Sequence, residues 1–151
     1  MNGLQRTARS SRHLKVSLLV VAVAAVGLTA CSGARRPAAA EFGLGPRSSA
    51  HGQYFATLEP ESPLRARRMQ TMRVVVVDGQ GQAVDGATLA IDGGMPQHGH
   101  GLPTRPRVIG GLGAGVYQVE GLRFSMGGWW ELKLTITAET GDDTITFNLA
   151  L

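Results

Sequence analysis

The most regular stretch of the chain is Trp130-Glu131-Leu132-Lys133-Leu134-Thr135-Ile136-Thr137. Trp130, Leu132, Leu134 and Ile136 fall on one side of an extended chain, and Glu131, Lys133, Thr135 and Thr137 on the other. A period of two with one apolar side is what a half-buried strand requires. Gly141-Asp142-Asp143 reads as a turn, and beyond it Ile145, Phe147, Leu149 and Leu151 oppose Thr144, Thr146 and Asn148. The two runs form a predicted hairpin. Residues 116–120 alternate in the same way, with Tyr117 and Val119 apolar. Gly121 then shifts the phase so that Leu122 and Phe124 carry the apolar side onward, which predicts a bulge or bend. Residues 74–77 are a β-branched run closed by Asp78-Gly79-Gln80-Gly81, residues 87–91 form a short run closed by Asp92-Gly93-Gly94, and residues 54–58 supply an edge strand before Pro60. Beyond residue 31 no segment repeats every 3.6 residues, and 21 glycines in 151 residues disfavour long helices. The expectation is an all-β protein of about seven strands in two antiparallel sheets packed face to face.

The charge of the whole chain misleads. Its 15 basic and 11 acidic residues suggest a polyanion binder, yet Arg6, Arg9, Arg12 and Lys15 precede the first apolar run with no acid among them. From residue 31 onward the chain carries 11 basic and 11 acidic residues, so a basic groove for nucleic acid is not expected. Residues 16–28 are mostly aliphatic, shorter than the roughly 20 residues of a spanning helix. A positive start, a short apolar run and small residues before a cut describe an export signal over residues 1–30. Leu28-Thr29-Ala30-Cys31 resembles the bacterial lipobox, whose cysteine is lipidated and becomes the mature N-terminus. The alternative is an uncleaved signal anchor in which Cys31 is merely a small apolar residue. Cys31 is the only cysteine, which excludes an intramolecular disulfide. Residues 31–52, rich in Ala, Gly, Pro, Arg and Ser, read as a flexible tether. That leaves 53–151 for the folded domain, held on a membrane in the cell envelope and facing the periplasm or exterior.

Between two predicted strands lies Met95-Pro96-Gln97-His98-Gly99-His100-Gly101-Leu102-Pro103. If extended there, His98 and His100 project the same way, a start for a bidentate grip on a metal. Met95 is close in sequence, and Met126 arrives from elsewhere. Thioether and imidazole without thiolate or paired carboxylates favour copper, Cu(I) above all. The bland account makes the histidines a solvated turn and both methionines core filler. Trp130 reads as the anchor between sheets, while Trp129, of opposite parity, is either an exposed partner contact or a ring lying flat on the sheet. His51 is at most an auxiliary ligand. The mature chain offers no nucleophile–base–orienter set, so an enzyme is not expected.

Met-Pro-x-His-Gly-His-Gly, then Gly115-x-Tyr117-x-Val119, then Phe124-x-Met126-x-Gly128-x-Trp130 together resemble the YtkA-like domain, a group related to FixH-type proteins of bacterial membranes and periplasm. The resemblance spans about residues 69–151. It implies an immunoglobulin-like sandwich. It also points toward copper, because FixH-like relatives are associated with assembly of a copper-containing terminal oxidase. A lipobox in place of a hydrophobic anchor separates this chain from the FixH type. Two functions follow as expectations: an envelope lipoprotein that binds or hands over copper through Met95, His98, His100 and Met126, and a metal-free interaction module that contacts an envelope protein. On the first point to check, mass spectrometry of protein extracted from membranes should find a mature N-terminus at acylated Cys31. Retention of residues 1–30 would remove the lipobox reading.

Overall fold

The computed structural model describes residues 34–151. The predicted export signal and Cys31 lie outside these residues. Ser32–Leu151 forms one compact unit. After a single 3-10 turn at Ala39–Glu41, nine strands follow: β1 (Arg47–Ser48), β2 (Tyr54–Pro60), β3 (Met69–Asp78), β4 (Thr88–Met95), β5 (His100–Gly101), β6 (Arg107–Gly113), β7 (Val116–Arg123), β8 (Trp129–Ala138) and β9 (Gly141–Ala150). Seven are long and two are two-residue additions. They build a five-stranded sheet in the order β1-β2-β3-β7-β6 and a four-stranded sheet in the order β5-β4-β8-β9. All the strand pairs are antiparallel. Taken alone, the seven long strands have the order ABED on one sheet and CFG on the other, the constant-type immunoglobulin arrangement. The expected all-β sandwich is therefore the observed one.

Alternation explains the core. In the β8–β9 hairpin Trp130 faces Leu149, Leu132 faces Phe147 and Leu134 faces Ile145, all on the inner side. From the other sheet Tyr54, Ala56 and Leu58 of β2, Met72, Val74 and Val76 of β3, and Tyr117 and Val119 of β7 point back at them. Fully burying one such aliphatic or aromatic side chain contributes about 1.5–3 kcal/mol, so the facing rows supply the main drive for closure. Gly121 does what its sequence phase predicts. Met72 pairs with Val119 and Gln70 with Leu122, so β7 carries one residue more than β3 over this interval. Gly121 sits there at φ +76°, and the bulge brings Leu122 and Phe124 back to the inner side, both wholly buried. Phe124 then meets Trp130 edge to face, with centroids 5.2 Å apart.

Two parts of the architecture differ from the expectation. Strand β6 has no counterpart among the predicted strands. It has three glycines in seven residues, its pairing with β7 shifts register twice, and Ile109 and Leu112 stand exposed on it. An edge strand needs partners on one side only, so it forms without the alternation that marks an inner strand.

The segment read as tether is the second difference. Gly43 N–H donates to Asn148 O of β9 at 3.0 Å, and Ala50 N–H donates to Thr144 O of the same strand at 2.9 Å. Between them β1 pairs with β2 of the other sheet, which makes β2 an inner strand rather than the edge. Residues 42–50 thus run along the seam where both sheets would end in open edges. A tether reading rests on composition and cannot anticipate this, because the bonds come from the backbone.

Replacing Trp130 with Ala should cost about 3–5 kcal/mol of unfolding free energy in a urea titration, whereas Ile109→Thr on the exposed edge should stay within about 0.5 kcal/mol. Equal losses would overturn this account of the core.

Candidate functional site

The Met95–His100 segment is a hairpin extension, not an independent loop. Strand β4 continues through Gly93 and Gly94 to Met95, and β5 returns against it, with Met95 opposite His100 and Gly94 opposite Gly101. The turn closes on one carbonyl: Met95 O accepts from His98 N–H at 3.0 Å and from Gly99 N–H at 2.9 Å. Two residues apart, His98 and His100 are both exposed, with ring planes within 11° of parallel and centroids 6.1 Å apart. The rings are neighbours through this turn, with Gly99 at φ +65°, and not through the extended chain that the spacing assumed. A shallow cavity of about 390 Å³ lies beside them, lined by Gly94, Met95, Pro96, Gly99, His100, Gly101 and Glu131. Glu131 was absent from the sequence argument. It arrives because its residue pairs with Gly94 across the β4–β8 ladder, a register that spacing along the chain does not reveal. Among the described residues no group of three or more His, Cys, Asp or Glu converges on a point.

Met95 departs from the expected donor set. It shares the inward parity of Leu89 and Ile91, is 2% exposed and belongs to the core. Its methyl group abuts Gly128, where a Cβ would approach to 2.8 Å, so glycine at 128 makes room for the methionine. Met95 therefore pins the hairpin to the loop before β8, and its sulfur is not presented with the rings. The sequence reading ended the strand at Ile91 because Asp92-Gly93-Gly94 resembles a turn. The ladder to β8 carries the strand across it.

Met126, by contrast, is 37% exposed on that loop, and its carbonyl accepts from Trp130 Nε1 at 3.0 Å. Trp129 is not a free contact surface. It is 3% exposed, and its Nε1 donates to Asn148 Oδ1 at 3.0 Å, while Asn148 Nδ2 reaches Glu41 O at 3.4 Å. The outer side of the β8–β9 hairpin is covered there by the N-terminal segment, which the parity argument could not include.

His51 lies at the far end of the sandwich, where Asp143 organises the turn before β2. The Asp143 side chain is wholly buried, and Oδ1 takes His51 Nδ1 at 3.0 Å and Thr144 N–H at 2.7 Å; Oδ2 accepts His51 N–H at 3.1 Å. Burial pushes this carboxyl upward. Hydrogen bonds from Ser49, Thr144 and His51 outweigh it and hold the group well below the usual carboxylate range. Ser49, His51 and Asp143 are thus neighbours, but Ser49 donates to the carboxylate and accepts Tyr54 N–H at 2.9 Å. No serine-to-imidazole link is formed, so the trio lacks the relay of an activated nucleophile. Its role is to fasten the end of the seam segment to β9.

Residues 49–135 match the family described as YtkA-like, a span that takes in both the His98–His100 hairpin and the Phe124–Trp130 segment. The chain belongs to the YtkA-like family. No curated protein matches it. Among solved structures this YtkA-like chain is similar to a ZirS C-terminal domain, at 14% identity over 95% of this chain and 97% of that one, with a TM-score of 0.39.

Because Asp143 is held low when folded, its contribution to stability is complete above the ordinary value near 3.8 and falls away as pH drops below it. Asp143→Asn should therefore lower the melting temperature at neutral pH and flatten the loss of stability between about pH 4 and pH 2. Thermal melts across that range check it; a wild-type slope in the variant would overturn it.

Proposed function

We propose that this YtkA-like protein is a lipid-anchored envelope protein that takes up Cu(I) on the His98–His100 hairpin and hands it to a partner in metalloprotein assembly. The observation that carries the reading is the pair of exposed, parallel rings with centroids 6.1 Å apart. An ion shared by two imidazoles lies in the plane of each ring, about 2.0–2.1 Å from a ring nitrogen, so these stacked and exposed rings must turn toward each other to grip it. Imidazole is a suitable ligand for copper, and the half-exposed thioether of Met126, at the same end of the sandwich, adds a soft donor within the same family motif. Met95 supports the hairpin from beneath without ligating. An open site on a short hairpin suits release to an acceptor better than turnover, so the protein is proposed as a carrier and not an enzyme.

A metal-free interaction module is the second reading, and the open edge of β6 with Ile109 and Leu112 exposed favours it. Titration of the purified domain with Cu(I) against a chromophoric chelator separates the two. About one ion should bind, His98→Ala/His100→Ala should abolish it, and Met126→Leu should weaken it without abolishing it. Unchanged affinity in the double variant removes the copper reading. Capture of an envelope protein from copper-depleted membranes, lost on Ile109→Glu, would establish the second.

A further inference from the structure

Charge that is balanced in number is segregated in space. At the end of the sandwich that holds His51, the residues from 78 to 88 and from 137 to 144 carry Asp78, Asp85, Glu139, Asp142 and Asp143 and no lysine or arginine. The opposite end carries arginine in excess over its acids, Glu41, Glu59, Glu61, Glu120 and Glu131. Arg65, Arg67 and Arg68 lie in the connection between β2 and β3, and Arg67 N–H is bound to Phe124 O at 2.7 Å, which fixes that connection beside the end of β7. Arg123 ends β7 opposite Met69, and Arg105 O and the Cα of Pro106 lie about 4 Å from the Cβ position of Gly121 on the same strand. Arg35 and Arg36 join this end, since Arg36 stands 5.2 Å over the ring of Phe42, and Phe42 shares a cleft with Pro60 and Leu64. All seven are exposed, and among the described residues none is within an ion pair.

We propose that this arginine-bearing end is a docking face for an anionic phospholipid surface, with the acidic end directed away from it. Three observations select lipid over other polyanions. The chain reaches the domain at this end: Arg36 is five residues after Cys31, at most about 18 Å of extended chain. The cleft at the same end, about 350 Å³, is lined by Phe42, Leu44, Pro60, Pro63, Leu64 and Leu149, an apolar floor beneath basic groups that suits an interfacial contact. Exposed Met69 and Met126 add apolar surface there. Attraction of a basic patch to anionic lipid is worth about fivefold in partition per arginine near the surface, and it falls away within a screening length. Docked in this way, the domain holds the His98–His100 hairpin at the lipid side, where a membrane-embedded acceptor of its ion would be met. The inference rests on the envelope reading above for its biological setting, but the surface itself is testable without the lipid anchor.

The fragment Ser32–Leu151 contains the whole described core as one compact unit and lacks Cys31, so it reports the protein surface alone. It should co-sediment with vesicles of phosphatidylglycerol and phosphatidylcholine, not with phosphatidylcholine alone. Binding should fall when salt rises from about 0.1 M to about 1 M, which shortens screening from about 10 Å to about 3 Å. Arg65→Gln/Arg68→Gln should weaken partition about twenty-fivefold, at about fivefold per arginine, while Glu139→Gln at the far end should leave binding unchanged or stronger. A fluorophore on Ser62→Cys should be quenched by bromolipid and one on Gln80→Cys should not. Equal binding to neutral vesicles, no binding to anionic ones, or wild-type binding by the arginine variant would each overturn the proposal. Binding of an RNA homopolymer more tightly than anionic vesicles would also overturn it. Loss of Cu(I) uptake with vesicle binding intact would strike the copper reading alone.

Discussion

Everything in this domain depends on two apolar sheet faces meeting without any covalent link between them. Antibody domains of the same strand order brace the sheets with a disulfide. Here the one cysteine precedes the domain, and closure falls to packing: Trp130 and Phe124 edge to face, with rows of Leu, Ile and Val around them. That requirement disciplines the chain at each strand. It makes β7 take a bulge at Gly121 so that Phe124 reaches Trp130, and it turns Met95 into a peg that fixes the hairpin carrying the two histidines. The candidate site is consequently anchored at its base by Met95 and exposed at its tip.

The seam segment plays the complementary part. Two facing sheets leave open edges, and an unpaired edge exposes backbone donors and acceptors to chance partners. Residues 42–50 occupy the edges of β2 and β9 in succession, and Asp143 fastens the far end of that segment by accepting both its backbone and its imidazole. Glu41 and Asn148 fasten the near end and cover Trp129. Composition alone gives this stretch the look of a linker. What makes it part of the domain is hydrogen bonding by peptide groups, which any residue sequence short of proline can supply. Strand β6 and the part of β4 that β5 does not reach remain open among the described residues, and the glycines and irregular register of β6 blunt that edge in part.

How much of the candidate site was legible follows the same division. The spacing of His98 and His100 drew attention to the pair, but the extended chain it assumed is absent: His98 lies in the turn, Gly99 has φ +65°, and the rings stack because that turn folds back on Met95 O. Glu131 could not be found, since it becomes a neighbour only through pairing with β4. Met95 was legible both as a donor near two histidines and as core filler; the core reading is the one observed, and the turn-like Asp92-Gly93-Gly94 hid the strand continuation that decides it. The polarity of charge was hidden most completely. Arginines between β2 and β3, at the end of β7 and before β6 lie far apart in sequence and share one end only after the sheets are assembled.

By itself the sequence determined the period-two faces, the phase shift at Gly121 and the turn at Gly141, since each is a property of residues within a few positions of one another. The tertiary structure alone decided which edges the seam closes, whether Trp129 is covered, where Met95 points and which charges gather at which end. Those outcomes depend on contacts between segments separated by tens of residues, and no local pattern encodes the register that brings them together.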